Sequence, residues 1–192
     1  MPPKPPADSV RLFLALWPAP RQRAALAHHG REWRWPPGSR LVAPDNLHLT
    51  LHFIGNVPGE HLPELRQALR LPCQPFELNL DQPQLWPHGI AVLAPQTIPR
   101  ALMQLQATLG EILRCLGLPT EARDFRPHVT FARHAQGATP PPATAPIHWP
   151  VRGYALVEAR PGGSIDYRVL ESYPCCSAAE EVAPGEAEDV PP

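Results

Sequence analysis

The chain has 192 residues, a formal net charge of −1 and 29 prolines. That length suits one compact domain, or two small lobes sharing a core. The near-neutral balance excludes a global field that would attract a polyanion, so any nucleic-acid contact must rest on a local cluster of Arg.

Residues 1–8 lack the apolar stretch of a signal peptide and are expected to form a disordered leader. Arg11–Trp17 is a short apolar run closed by Pro18, which predicts a buried central strand and is far too short to span a bilayer. Pro20 opens an expected helix that Gly30 should end near His29. Trp33 and Trp35 precede a Pro36-Pro37-Gly38 loop. Asn46–Gly55 then alternates apolar and polar residues, the pattern of a strand with one face on a core. Leu47, Leu49 and Leu51 point one way; His48, Thr50 and His52 point the other, and Gly55-Asn56 should stop the strand.

His61–Leu71 carries Leu62, Leu65 and Leu69 at helical spacing. Phe76–Leu80 and Ile90–Leu93 read as strands joined by a Gln84–Gly89 connection. The apolar stripe from Leu102 to Leu116 predicts the longest helix, with Gly117 as its C′ residue. Arg126–Arg133 follows as a strand that again reads His, apolar, Thr, apolar: His128 and Thr130 share one face, Val129 and Phe131 the other. Gln136–Pro146 is a proline-rich loop. Ile147–Glu158 and Ile165–Tyr173 form an expected last strand pair, and the acidic, Ala/Pro-rich residues 177–192 an expected disordered tail, which leaves 9–176 as the folded domain. The four Cys contain no Cys-x-x-Cys pair; they suggest neither a zinc pattern nor a disulfide framework and suit a reducing cytoplasm.

Two His on facing strands allow paired acid–base catalysis, one taking a proton and the other giving one. A Thr two residues on lies on the same face, roughly 7 Å along the strand, and can donate to an anionic oxygen held between the imidazoles. This combination suits in-line displacement at phosphorus. His48 and His52 would bind one metal from a helix, but on a strand they stand about 13 Å apart. No glycine-rich phosphate loop is present. Arg133 has the wrong strand parity for the His128 face, so a surface ion pair competes with phosphate contact. Phe53 shares the core-facing parity of Leu51, so packing competes with base stacking. Arg126 has the cleft parity. His28, His29, His61, His88, His134 and His148 read as surface residues, and the Trp side chains as filling for core or lobe edges.

Arg11-Leu-Phe-Leu-Ala, Asn46–Gly55 and Phe125–Arg133 resemble the RNA 2′,3′-cyclic phosphodiesterases, or 2′-5′ RNA ligases, of the 2H phosphoesterase superfamily. The resemblance spans about residues 10–173. It implies an α+β, bilobal fold: two pseudo-symmetric lobes of antiparallel sheet with outer helices around a central cleft. It also implies opening of a 2′,3′-cyclic phosphate to a 2′-phosphate without metal or other cofactor, with reversible 2′-5′ joining of RNA ends. His48 and His128 would be catalytic, with His48 the acid and His128 the base. Thr50, Thr130 and Arg133 would hold the phosphate, and Phe53 would stack on a base. The implied partners are RNA or oligonucleotide ends, tRNA fragments among them, met by a cytoplasmic monomer with no membrane contact. Two alternatives remain open at this point: a nucleotide- or RNA-end-binding module of the same fold, and a metal-dependent hydrolase built on His48 and His52.

Overall fold

A computed structural model describes residues 9–121, 123–142, 145–160 and 166–175. The expected leader and tail lie outside the described residues. The elements are β1 (Ser9–Leu16), α1 (Pro20–Glu32), β2 (Arg40–Leu41), β3 (Leu49–Pro58), α2 (Leu62–Ala68), β4 (Phe76–Leu80), β5 (Gln82–Trp86), β6 (Ile90–Ala94), α3 (Arg100–Cys115), β7 (Val129–Arg133), β8 (Ile147–Val151), β9 (Gly153–Arg160) and β10 (Asp166–Pro174). The fold is α+β with antiparallel sheets, as the resemblance implies.

One sheet runs β10-β9-β1-β3-β7-β6-β5, with β2 paired to β7; a separate ribbon pairs β4 with β8. Between β3 and β7 the ladder contains one pair, Leu49 with Val129. The sheet is therefore two arms joined at a point. The arms are not the two halves of the sequence, because β9 and β10 close the arm that begins with β1.

The helices cross over in the same way. α1, from the N-terminal half, packs on β7: the His29 and Phe131 rings are 5.3 Å apart, and a Cβ on Gly30 would touch Phe131 at 3.4 Å. α3 packs on β3, where His52 Nε2–H donates to the Gln106 carbonyl at 2.7 Å. Leu12, Leu14 and Leu16 of β1 join the main core beneath the sheet, while Phe13 and Ala15 join a smaller cluster on its other face. This split is the alternation of a central strand buried on both sides.

Several boundaries differ from the expected ones. α1 runs through Gly30 to Glu32: Gly30 keeps a helical backbone and packs against Phe131 instead of ending the helix. β3 continues past Gly55, whose φ of 84° lies next to a register shift rather than at a stop. The Gln84–Gly89 connection contains most of β5, an edge strand that tolerates Pro83. Ile147–Glu158 is two strands, β8 and β9, which pair with different partners. Gly117 does close α3, at φ 68°, with Leu118 N–H donating to Leu113 O and Gly117 N–H to Arg114 O.

The cysteine reading is corrected: Cys73 and Cys175, 102 residues apart, form a disulfide. Chain topology alone brings the segment before β4 beside the end of β10, so no local spacing could reveal the pair. His29 is also corrected, being 4% exposed.

Gly89 sits at φ +71°, and a Cβ there would lie 2.6 Å from the Gln136 nitrogen and 2.7 Å from that of Ala135. Its carbonyl accepts the Ala135 N–H. Gly89→Ala is expected to destabilise the protein by about 1–3 kcal/mol, read as a lowered denaturant midpoint at unchanged slope.

Candidate active site

Both His-x-Thr segments fold by the same local device. Opposite β1, Ala15 pairs with Thr50 and Leu14 with His52, so Leu51 is an extra residue on β3. Opposite β6, Val92 pairs with Thr130 and Ala91 with Ala132, so Phe131 is an extra residue on β7. Each Thr is thus followed by a β-bulge, which reverses the in–out alternation beyond it. The burial pattern shows the reversal in both copies: Leu49–Phe53 and Val129–Arg133 each read buried, half-buried, buried, buried, exposed.

The bulges place Phe53 and Arg133, each three residues after its Thr, on the cleft side with His48 and His128. Simple alternation gave both the wrong parity. The same reversal corrects His52, expected on the cleft face. It is 5% exposed, faces α3, and sits 3.0 Å from where a Cβ on Gly110 would be. His48 and His52 therefore occupy opposite faces and cannot share an ion. Among the described residues no group of three or more His, Cys, Asp or Glu could hold a metal ion.

The two imidazoles are held alike. His48 Nδ1 lies 2.7 Å from the Asn46 carbonyl, and His128 Nδ1 lies 2.7 Å from the Arg126 carbonyl. A carbonyl can only accept, so Nδ1–H donates in each case and Nε2 is left as the working nitrogen. The Thr50 hydroxyl stands 3.1 Å from His48 Nε2 and can donate to it when that imidazole is neutral. Thr130 is half-buried on the same face as His128.

Both histidines titrate below the ordinary 6.5. His48 is pushed down to about 4, chiefly by burial and further by the charges of His128 and Arg133, against the opposing bond to the Asn46 carbonyl. His128 is lowered by burial first, then by Arg133 and Arg123, while the Arg126 carbonyl and Glu121 act the other way. The appearance of His128 and Arg133 among the charges felt by His48 shows that one site draws on both arms.

The walls contain residues that the sequence reading left elsewhere. Around His48 stand Phe13 at 4.8 Å, Trp17 stacked at 5.5 Å and Tyr167 edge-on at 5.2 Å between ring centroids. Beside His128 stands Trp86 at 4.4 Å. Arg11 lies over the Phe53 ring and Arg126 over the Trp86 ring, 5.0 and 5.6 Å from the centroids. Trp33 and Trp149 do fill the core. The signal for Trp17, just past the end of β1, was its even spacing from Phe13; for Trp86, nothing local marked it.

Two opposed His-x-Thr strands at the junction of two antiparallel arms are the site architecture of a 2H phosphoesterase. The model of the LigT-like phosphoesterases matches residues 18–91, which include the first motif. The RNA 2′,3′-cyclic phosphodiesterase of Thermus thermophilus is 33% identical over 181 residues, covering 85% of this chain and 89% of the relative. That of Escherichia coli is 36% identical over 157 residues, covering 79% and 85%. The crystal structure of E. coli LigT complexed with 3′-AMP superposes with a TM-score of 0.79 at 30% identity, covering 87% of this chain and 98% of that one. This chain belongs to the LigT-like phosphoesterase family.

Arg133 lowers the pKa of both histidines by its charge. In Arg133→Gln both imidazoles should therefore titrate at higher pH than in the wild type, followed through their ring-proton resonances. Unchanged titrations would mean that Arg133 points away from the pair.

Proposed function

We propose that the protein hydrolyses RNA or oligonucleotide 2′,3′-cyclic phosphates to 2′-phosphomonoesters by two-histidine acid–base catalysis. The observation that carries this reading is the pair of imidazoles, each fixed through Nδ1 to a backbone carbonyl and each with a Thr hydroxyl on its face. The relatives' names supply the substrate class.

The reaction requires a base to take a proton from water as it attacks phosphorus, and an acid to protonate O3′ as the P–O3′ bond breaks. His48 and His128 fill these two roles. Thr50 and Thr130 donate to the non-bridging oxygens, and Arg133 offsets the charge that grows on them. With His48 as the acid, the pair's single proton must pass to it in the complex, because in the ligand-free protein His48 is the more depressed of the two. The anionic phosphodiester favours the charged imidazole and supplies that drive. Phe53 offers its exposed ring to the base of the cyclic nucleotide.

Both halves of the site come from one polypeptide, so the reading includes a protein that works as a monomer, on RNA ends in the cytoplasm. With a 5′-hydroxyl in place of water, the same pair in the same two roles would join that end to a cyclic phosphate: the base takes the hydroxyl proton as the new P–O5′ bond forms, and the acid protonates O3′ as P–O3′ breaks. A pure binding module would not need two imidazoles each fixed through Nδ1, and a turnover assay separates the two. The described residues contain no helix long and apolar enough to cross a membrane.

His48→Ala and His128→Ala should each lower turnover of a nucleoside 2′,3′-cyclic phosphate by about 10²–10⁴-fold with the fold intact by circular dichroism. Near-wild-type turnover in either variant would sink the assignment.

The pH dependence follows from the two depressed values. Below the His48 value of about 4 both imidazoles are charged; above the His128 value, itself under 6.5, both are neutral. Only between these limits does the pair carry one proton. The kcat/KM profile is therefore expected to be a bell with its maximum on the acidic side of 6.5. The kcat profile should lie at higher pH, since the bound anion raises both values. A flat kcat/KM profile between pH 4 and 8, with chemistry rate-limiting, would rule out the two-histidine mechanism.

A further inference from the structure

We propose that Trp86 and Arg126 form a second nucleoside subsite on the β7 arm, so that the cleft holds a phosphodiester with a nucleoside on each side of the phosphate. This rests on the phosphodiesterase reading and assigns residues to the second nucleoside, which hydrolysis of a cyclic phosphate does not require and joining of a 5′-hydroxyl end does.

Trp86 ends an edge strand and is only half-buried, so the packing of the core does not explain a side chain of its size there. Its one polar atom is satisfied: Nε1–H donates to Gln84 Oε1 at 2.8 Å, which fixes the plane of the indole. The ring stands 4.4 Å from His128. The exposed Arg126 guanidinium lies over it, 5.6 Å from the centroid, while the Arg126 carbonyl holds the same histidine through Nδ1. One short segment thus supplies both the guanidinium over the indole and the carbonyl that holds the imidazole.

The β3 arm carries the matching arrangement, Phe53 under Arg11. Neither Arg11 nor Arg126 is ion-paired with a carboxylate among the described residues, whereas the neighbouring Arg123 is taken by Glu121 at 2.6 Å. An exposed, uncommitted guanidinium over an aromatic face is what a nucleobase meets well, since base, guanidinium and indole stack as flat layers and the cation also faces the phosphate. With the phosphate between His48 and His128, Phe53 takes the base on one side and the Trp86–Arg126 platform takes the base on the other.

The test compares two ligands that cannot react and carry equal charge. One is a 2′-5′ dinucleoside monophosphate whose first sugar lacks its 3′-hydroxyl. The other is the methyl ester of that first 3′-deoxynucleoside 2′-phosphate. By calorimetric titration the wild type should bind the dinucleoside about tenfold more tightly, the gain expected of one base–aromatic stack. Trp86→Ala should abolish the gain, and Trp86→Phe should keep most of it. Arg126→Gln, a change at an exposed side chain, should cut it at least threefold. No gain in the wild type, or an undiminished gain in Arg126→Gln, overturns the proposal, and the second result decides the matter even if Trp86→Ala does not fold. Hydrolysis of a nucleoside 2′,3′-cyclic phosphate is measured in parallel on the wild type: its absence would remove the catalytic reading, while the binding comparison would still stand or fall alone.

Discussion

Leu49 and Val129 are where the two arms of the sheet meet, and the site is registered from that one pair. Both are fully buried and apolar, so neither can turn outward without losing core contact. Counting outward in an antiparallel pair, His48 comes opposite Thr130 and Thr50 opposite His128. By that count each imidazole has its own Thr two residues along the chain, with the other arm's His-x-Thr segment facing it beyond the one paired position. A one-residue slip at Leu49 and Val129 would send one histidine into the core.

The charge balance at this point is deliberate in its consequences. Two imidazoles share a partly buried site with Arg133; burial depresses both, Arg133 makes protonation of each harder, and His128 does the same to His48. Without a ligand the cleft therefore holds few protons at neutral pH. A phosphodiester anion reverses the balance, since it favours each cationic imidazole that it touches. On the proposed mechanism, binding and proton uptake are then linked, and the single-proton state is favoured by the substrate rather than stored in the free protein at neutral pH.

Much of this was legible in the sequence, and the failures have one cause. The alternation around His48 and His128 identified both strands and both Thr hydroxyls, because a period of two survives up to the Thr in each copy. It failed one residue later, where Leu51 and Phe131 bulge out of the ladder. Nothing in their identity marks a bulge, so Phe53, His52 and Arg133 were all assigned the opposite face. α3 was legible from its leucine stripe and its Gly117 cap, since both signals are local. The Cys73–Cys175 bond, the exchange of helices between arms and the place of Trp86 beside His128 were not, because each depends on segments that are distant in the chain.

The two arms share a backbone plan but not their side chains, a difference that suits the unequal roles of acid and base in the proposed mechanism. Three residues after the Thr stands Phe53 in one arm and Arg133 in the other, so one side offers a ring and the other a charge. Two residues after it stand His52 and Ala132, the first bonded to α3 and the second fully buried in the core. His48 is enclosed by Phe13, Trp17 and Tyr167, whereas His128 has Trp86 and a more open surround. The heavier enclosure is what drives His48 to about 4, its first cause being burial. Two identical environments would leave the pair's single proton shared evenly between the arms. Unequal walls give the free site a preferred proton position, and substrate bound against those walls can then set the direction in which the proton moves.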